Sequence, residues 1–227
     1  MSTQLYNAIS SILAMPYFKN DHARSGSTVH GHEDAVAEKI KDNGFTEEQK
    51  VSYPKLSKSV LREWAESGKT SELEKILITM PAGSYMVQPA GSQGFPDILV
   101  KDFCGRYVAV ECKSGKNGVC PMWNDNTPKP MAIYVLSSGA EDSTTIFMGK
   151  DVITPEEQAL MDELQKKLAD VVKIYTNKLK AIDTFKRGWI QKARKQHFQG
   201  GGSEKTNYFT HNSRQQCEKN ALDYAKQ

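Results

Sequence analysis

Apolar and polar positions alternate with two different periods along this chain. Ile98 to Val100 and Tyr107 to Val110 are short β-prone runs, bounded by Pro96 and by the polar Lys113-Ser114-Gly115-Lys116. Between them lies Phe103-Cys104-Gly105. A three-residue hairpin loop is usually a type I turn followed by a residue at positive φ, and Gly105 occupies that third place. The register that follows sets Asp102 opposite Arg106, Val100 opposite Val108 and Asp97 opposite Glu111. Strand side chains alternate faces, so Glu111 and Lys113 point one way and Cys112 the other. A slip of one residue would move Asp97 to the opposite face.

Helical spacing takes over elsewhere. Residues 29 to 45 read as a helix with Gly44 as its C′ residue. Positions 29, 33, 36, 37 and 40 share one face; four are apolar and the fifth is Glu33. An acid on a buried stripe is costly unless paired or metal-associated, while an acid in the first turn also complements the helix dipole; both readings of Glu33 stand. His30 and His32 read as surface or phosphate-proximal residues, since no second His or Cys pair offers a closed metal site. Residues 46 to 80 read as helical and supportive, and Met131 to Leu136 as β-like. Thr154-Pro155-Glu156-Glu157 is a capping box with Pro at N1, and Leu160, Leu164, Leu168, Val171, Tyr175, Leu179 and Ile182 continue from it at helical spacing. That helix packs on the sheet or on a second subunit, and the pattern does not choose. The expected fold is α/β: a mixed sheet flanked by helices, with a mostly helical, basic C-terminal extension. The expected division is a core over 1–172 and an extension over 173–227, or one integrated domain.

Charge sharpens the division. Residues 173–227 carry 12 Lys or Arg against 4 Asp or Glu, net +8, whereas 1–172 carry 18 against 23, net −5. A basic quarter beside an acidic body is an electrostatic footprint for a polyanion. Its aromatics interleave with Arg187, Arg194 and Lys195. Gln199-Gly200-Gly201-Gly202-Ser203 reads as a flexible connector, and the tail beyond it holds Asn207, His211, Asn212, Arg214 and Gln215, side chains suited to phosphates or base edges. Ser92 and Gln93 in the loop before Pro96, and Asn124, Asn126 and Lys129 in the loop after Cys120, are further candidate DNA contacts. The four cysteines form no CxxC pair, as expected of thiols in a reducing compartment. With no signal-peptide pattern and no run of transmembrane length, a cytoplasmic location and no membrane partner are expected.

Pro-Asp is a common turn dipeptide, and acid-x-lysine recurs on solvated strands. Paired in register, they set two acids and a lysine on one face. Two facing carboxylates repel, and a divalent cation between them reverses that sign. Pro96-Asp97 with Glu111-Cys112-Lys113 resembles the PD-(D/E)xK nuclease superfamily, which includes most type II restriction endonucleases; the match covers roughly residues 28–150. The resemblance implies a restriction-endonuclease-like core. It implies that Mg²⁺ is held by Asp97, Glu111 and the main chain of Cys112, and that Lys113 orients or deprotonates the attacking water. An upstream helical acid, here Glu33, often joins them. It implies double-strand cleavage of DNA at a short palindromic site to 5′-phosphate and 3′-hydroxyl ends. A homodimer would carry one active site per strand, and a cognate DNA methyltransferase would act on the same site. The Gly-Ser-Gln-x-x-Pro-Asp approach and the Trp-Asn-Asp-Asn-Thr-Pro-Lys-Pro loop look like the HhaII and HinfI group, which cuts GANTC. The same core serves junction-resolving and repair nucleases. A DNA-binding module with a vestigial site would also read this way. No Asp-Pro-Pro-Tyr or Asn-Pro-Pro-Tyr motif supports a DNA methyltransferase.

Overall fold

The structure is a computed structural model that describes residues 3–17, 29–92, 94–124, 127–190, 196–197, 199–200 and 206–227, with the side chains of residues 29, 30, 124 and 196 outside that description. The chain forms two compact units. One takes Met1–Pro121, Lys129–Val152 and Gln199–Gln227, and the other Met122–Pro128 and Ile153–Phe198.

The larger unit is built on a six-stranded mixed sheet in the order β1-β2-β3-β4-β6-β7. Its strands are β1 (Thr46–Glu47), β2 (Ser84–Val87), β3 (Ile98–Lys101), β4 (Tyr107–Gly115), β6 (Ala132–Ser138) and β7 (Ser143–Met148). β3 and β4 form the expected hairpin, with Val100 opposite Val108, and Gly105 takes φ +85° at the turn. The Asp102 amide donates to Arg106 O at 2.9 Å, closing the register at the turn end. β4 runs longer than its apolar stretch. Parallel pairing with β6, from Ala109 with Ala132 to Gly115 with Ser138, carries the polar Glu111-to-Gly115 segment into the ladder. That pairing is non-local and left no mark on the sequence of β4 itself.

Helices cover both faces of this sheet. Val100, Val108, Val110, Ile133, Val135, Ile146 and Met148 form one core with α1 (Thr3–Leu13), α2 (Val29–Asp42) and α6 (Arg214–Lys226). Each of these strand side chains is fully buried, which contributes roughly 1.5–3 kcal/mol apiece relative to exposure. α2 ends as expected, with Gly44 at φ +91° and its amide bonded to Lys41 O. On the other face Trp64 of α3 (Lys58–Ser67) meets Tyr107 edge-on at 6.4 Å, and the Tyr107 hydroxyl donates to Leu77 O just after α4 (Ser71–Ile76).

The C-terminal tail departs from expectation. Residues 214–226 form α6, which packs against β7 and α1, so this stretch closes the core of the larger unit. Its buried face is sparse, Ala221, Tyr224 and Ala225, and a polar helix with so few apolar residues carries a weak helical signal. The boundary at residue 172 falls inside α5 (Pro155–Ala181), and the chain returns to the larger unit at Gln199. The smaller unit contains α5 and the two-stranded pair of β5 (Trp123–Asn124) with β8 (Gln196–His197). α5 begins with the expected capping box: Thr154 Oγ1 accepts from the Glu157 amide, and Glu157 Oε2 from the Thr154 amide. Among the described residues, no helix is long and apolar enough to cross a membrane.

Candidate active site

The site is assembled where β3 begins and β4 continues. Asp97 precedes the first ladder residue, Ile98, which pairs with Val110; extending that register puts Asp97 beside Glu111. The Asp97 carboxylate accepts the Cys112 amide at 2.7 Å. In a strand the N–H and C=O of one residue point to the same side, so the Cys112 carbonyl is also directed toward the Asp97 edge. On the alternate positions, Lys113 Nζ donates to Glu111 Oε1 at 2.7 Å. Glu111, Lys113 and Asp97 thus come together through one hairpin, as the register requires.

α2 delivers a fourth member. Val36, Ala37 and Ile40 hold its apolar stripe in the core, and Glu33 on the same stripe is only 4% exposed. Gln88 donates from Nε2 to Glu33 Oε2 at 3.0 Å, and its backbone amide donates to Asp97 O at 2.6 Å. Gln88 does this from a left-handed conformation, φ +47°, rare for a residue with a side chain. Nothing in the Gln-Pro dipeptide advertises that conformation, and Gln88 was missed by sequence reasoning.

Electrostatics at the site are dominated by crowded acids. Burial, then Glu111, then Glu33 push the Asp97 carboxyl up to about 8, against the opposing pull of the Cys112 amide and Lys113. Burial works to lower Lys113, but Glu111, its hydrogen bond and Asp97 outweigh it and hold the ammonium above its ordinary value. Among the described residues, the buried Glu111 Oε2 has no hydrogen-bond partner. An orphaned carboxylate oxygen beside a second carboxyl crowded by like charges offers oxygen donors of the kind that a hard cation prefers. Among the described residues no cluster of three or more His, Cys, Asp and Glu side chains is arranged to hold a metal. Two carboxylates and a backbone carbonyl need no third side chain, so the residues present fit Mg²⁺.

The histidine expectation needs correction. His32 is buried under the sheet, with Nε2 at 3.5 Å from Val135 O, and burial lowers its pKa despite that carbonyl. The side chain of His30 lies outside the described residues.

Several predicted DNA contacts are also placed differently. Lys129 is 3% exposed and its ammonium pairs with Glu66 at 2.5 Å, so it is a core cation rather than a surface contact. Its loop turns inward because the Lys129 amide donates to the buried Tyr134 hydroxyl. Arg214 is committed to Glu218 through Nε at 2.7 Å and to Phe209 O through Nη1 at 3.0 Å, which locks the start of α6. Asn207 caps a turn, its Oδ1 accepting the Phe209 and Thr210 amides, and His211 bonds Ser213. Ser92, Arg187, Asn212 and Gln215 are exposed. Gln93, Asn126, Arg194, Lys195 and the side chain of Asn124 lie outside the described residues.

Comparison of the chain with protein-family models, with curated proteins and with solved structures finds no match.

Proposed function

We propose that this protein is a Mg²⁺-dependent endonuclease of the PD-(D/E)xK type, with a restriction-endonuclease-like core and double-stranded DNA as substrate. The observation that carries the reading is the convergence of Asp97, Glu111 and Lys113, with the Cys112 main chain between them tied to Asp97.

In this reading Asp97, Glu111 and the Cys112 carbonyl hold Mg²⁺. When bound, the ion supplies positive charge for a non-bridging phosphate oxygen and makes a coordinated water more acidic. In the metal-free site Glu111, its hydrogen bond and Asp97 hold the Lys113 pKa above the ordinary lysine value. Lys113 orients or deprotonates the attacking water, and as an ammonium it would set a positive charge where negative charge develops. Glu33, held by Gln88, adds a further carboxylate close enough to raise the Asp97 pKa.

Type II restriction is the form we favour, with a short palindromic site, a homodimer and a cognate methyltransferase for the same site. GANTC is the first sequence to try, on the strength of the two loop resemblances. The decisive experiment is digestion of DNA of known sequence with Mg²⁺, followed by mapping of the ends. Fragments with 5′-phosphate and 3′-hydroxyl ends at one repeated sequence support the proposal. Preference for branched DNA would reassign the same site to a junction-resolving enzyme. Salt-sensitive binding without cleavage would leave a DNA-binding module.

A further inference from the structure

α5 is a helix of 27 residues with no buried side chain. Leu160, Leu164, Leu168, Val171 and Tyr175 are each between 40% and 68% exposed. A stripe this long facing water gives a helix no tertiary stabilisation, and apolar patches of this extent mark interaction surfaces.

The stripe has heptad order. Met161, Leu168 and Tyr175 recur at one seam position; Glu157, Leu164, Val171 and Lys178 recur at the other. The second series is apolar at its centre and charged at its ends, an acid near the N-terminus and a lysine near the C-terminus. The wider helix keeps that polarity as a net difference: Glu156, Glu157, Asp162 and Glu163 outnumber Lys166 and Lys167 in its first half, and Lys173, Lys178 and Lys180 outnumber Asp170 in its second. Two copies side by side in parallel would set Glu157 against Glu157 and Lys178 against Lys178. Turned end for end about the middle of the helix, they set Glu157 of one beside Lys178 of the other at both ends, and leave Leu164, Leu168 and Val171 packed at the centre.

We infer that α5 is the homodimerisation element of this protein, pairing antiparallel with α5 of a second copy. The arrangement is isologous and closes on itself, as a two-fold interface must. It stands independently of the nuclease reading, because its evidence lies wholly in α5.

The test uses the full-length protein. Sedimentation velocity at micromolar concentration should show a species of twice the 25.4 kDa monomer mass. Zero-length carbodiimide coupling followed by mass spectrometry should link Glu157 to Lys178. Within one helix these residues lie about 31 Å apart, so such a link joins two chains. Leu164→Glu with Val171→Glu should raise the dimer dissociation constant at least about thirtyfold, while the thermal melt of the larger unit stays cooperative and any loss of helical dichroism is no more than α5 accounts for. A monomeric wild type would overturn the inference, as would a dimer indifferent to the double substitution. A dimer lacking the Glu157–Lys178 link would overturn the antiparallel arrangement. A monomer whose DNA affinity falls with the same substitutions would assign the stripe to DNA and overturn the inference equally.

Discussion

The Cys112 amide donates to the Asp97 carboxylate at 2.7 Å, tying the residue between Glu111 and Lys113 to the acid at the mouth of the hairpin. Cys112 sends its side chain into the core and its main chain into the site. The same residue is therefore an apolar packing element on one side and a polar anchor on the other.

Asp97→Ala or Lys113→Ala should reduce Mg²⁺-dependent cleavage by about 10²–10³-fold or more, with DNA binding retained. The comparison is between single-turnover cleavage rates and gel-shift affinities. Full activity in either variant would sink the assignment.

The crowding of acids makes metal-free stability depend on pH. The Asp97 pKa is raised from 3.8 to about 8 on folding. The native state therefore holds a proton that the unfolded chain has already released. Stability contributed by this group is present below pH 4, falls as pH rises toward 8, and is flat beyond. Thermal melts of metal-free protein should show that slope, and Asp97→Asn should flatten it. Added Mg²⁺ should raise the melting temperature more at pH 8 than at pH 5, because it favours the ionised carboxylate.

Glu33→Gln should lower the Asp97 titration midpoint, since Glu33 is one of the charges that raise it. Carboxyl NMR titration of metal-free protein reads this directly. An unmoved midpoint would separate Glu33 from the site electrostatically.

The hairpin turn is anchored by an ion pair between the buried Asp102 and the partly exposed Arg106. Asp102 is fully buried and accepts the Cys104 and Arg106 amides and Arg106 Nε, while Arg106 Nη1 donates to Tyr224 O at 2.7 Å. Arg106→Ala leaves that carboxylate without its cation and unties α6, so denaturant melts should show a loss of roughly 3–5 kcal/mol. Changes within 1 kcal/mol would mean that the backbone amides alone hold Asp102.

Lys129 and Arg187 should behave oppositely. Lys129→Met replaces a buried ammonium and should leave the DNA affinity of folded protein unchanged. Arg187→Ala removes an exposed cation and should weaken binding to all sequences alike, reducing the salt slope by about one.

Local patterns were legible wherever neighbouring residues decide structure. The β3–β4 register followed from Gly105 and the alternation around it, because a tight turn permits few pairings. The Thr154 capping box and the Gly44 helix end were legible for the same reason. Glu33 stood out as an acid on an apolar stripe, and its helix then carried it to the site.

Other features depend on partners distant in the chain. Lys129 reads as a polar loop residue until Glu66 is known to lie beside it. Arg214 reads as a DNA contact until Glu218 and the Phe209 carbonyl claim its guanidinium. Gln88 joins the site only because the backbone turns left-handed between α2 and β3. The sequence alone determined the hairpin that pairs Asp97 with Glu111 and Lys113, since a two-residue period and one glycine suffice. Tertiary structure decided that Glu33 and Gln88 complete that group and that the polar tail closes the core, since burial and charge pairing arise only when distant segments meet.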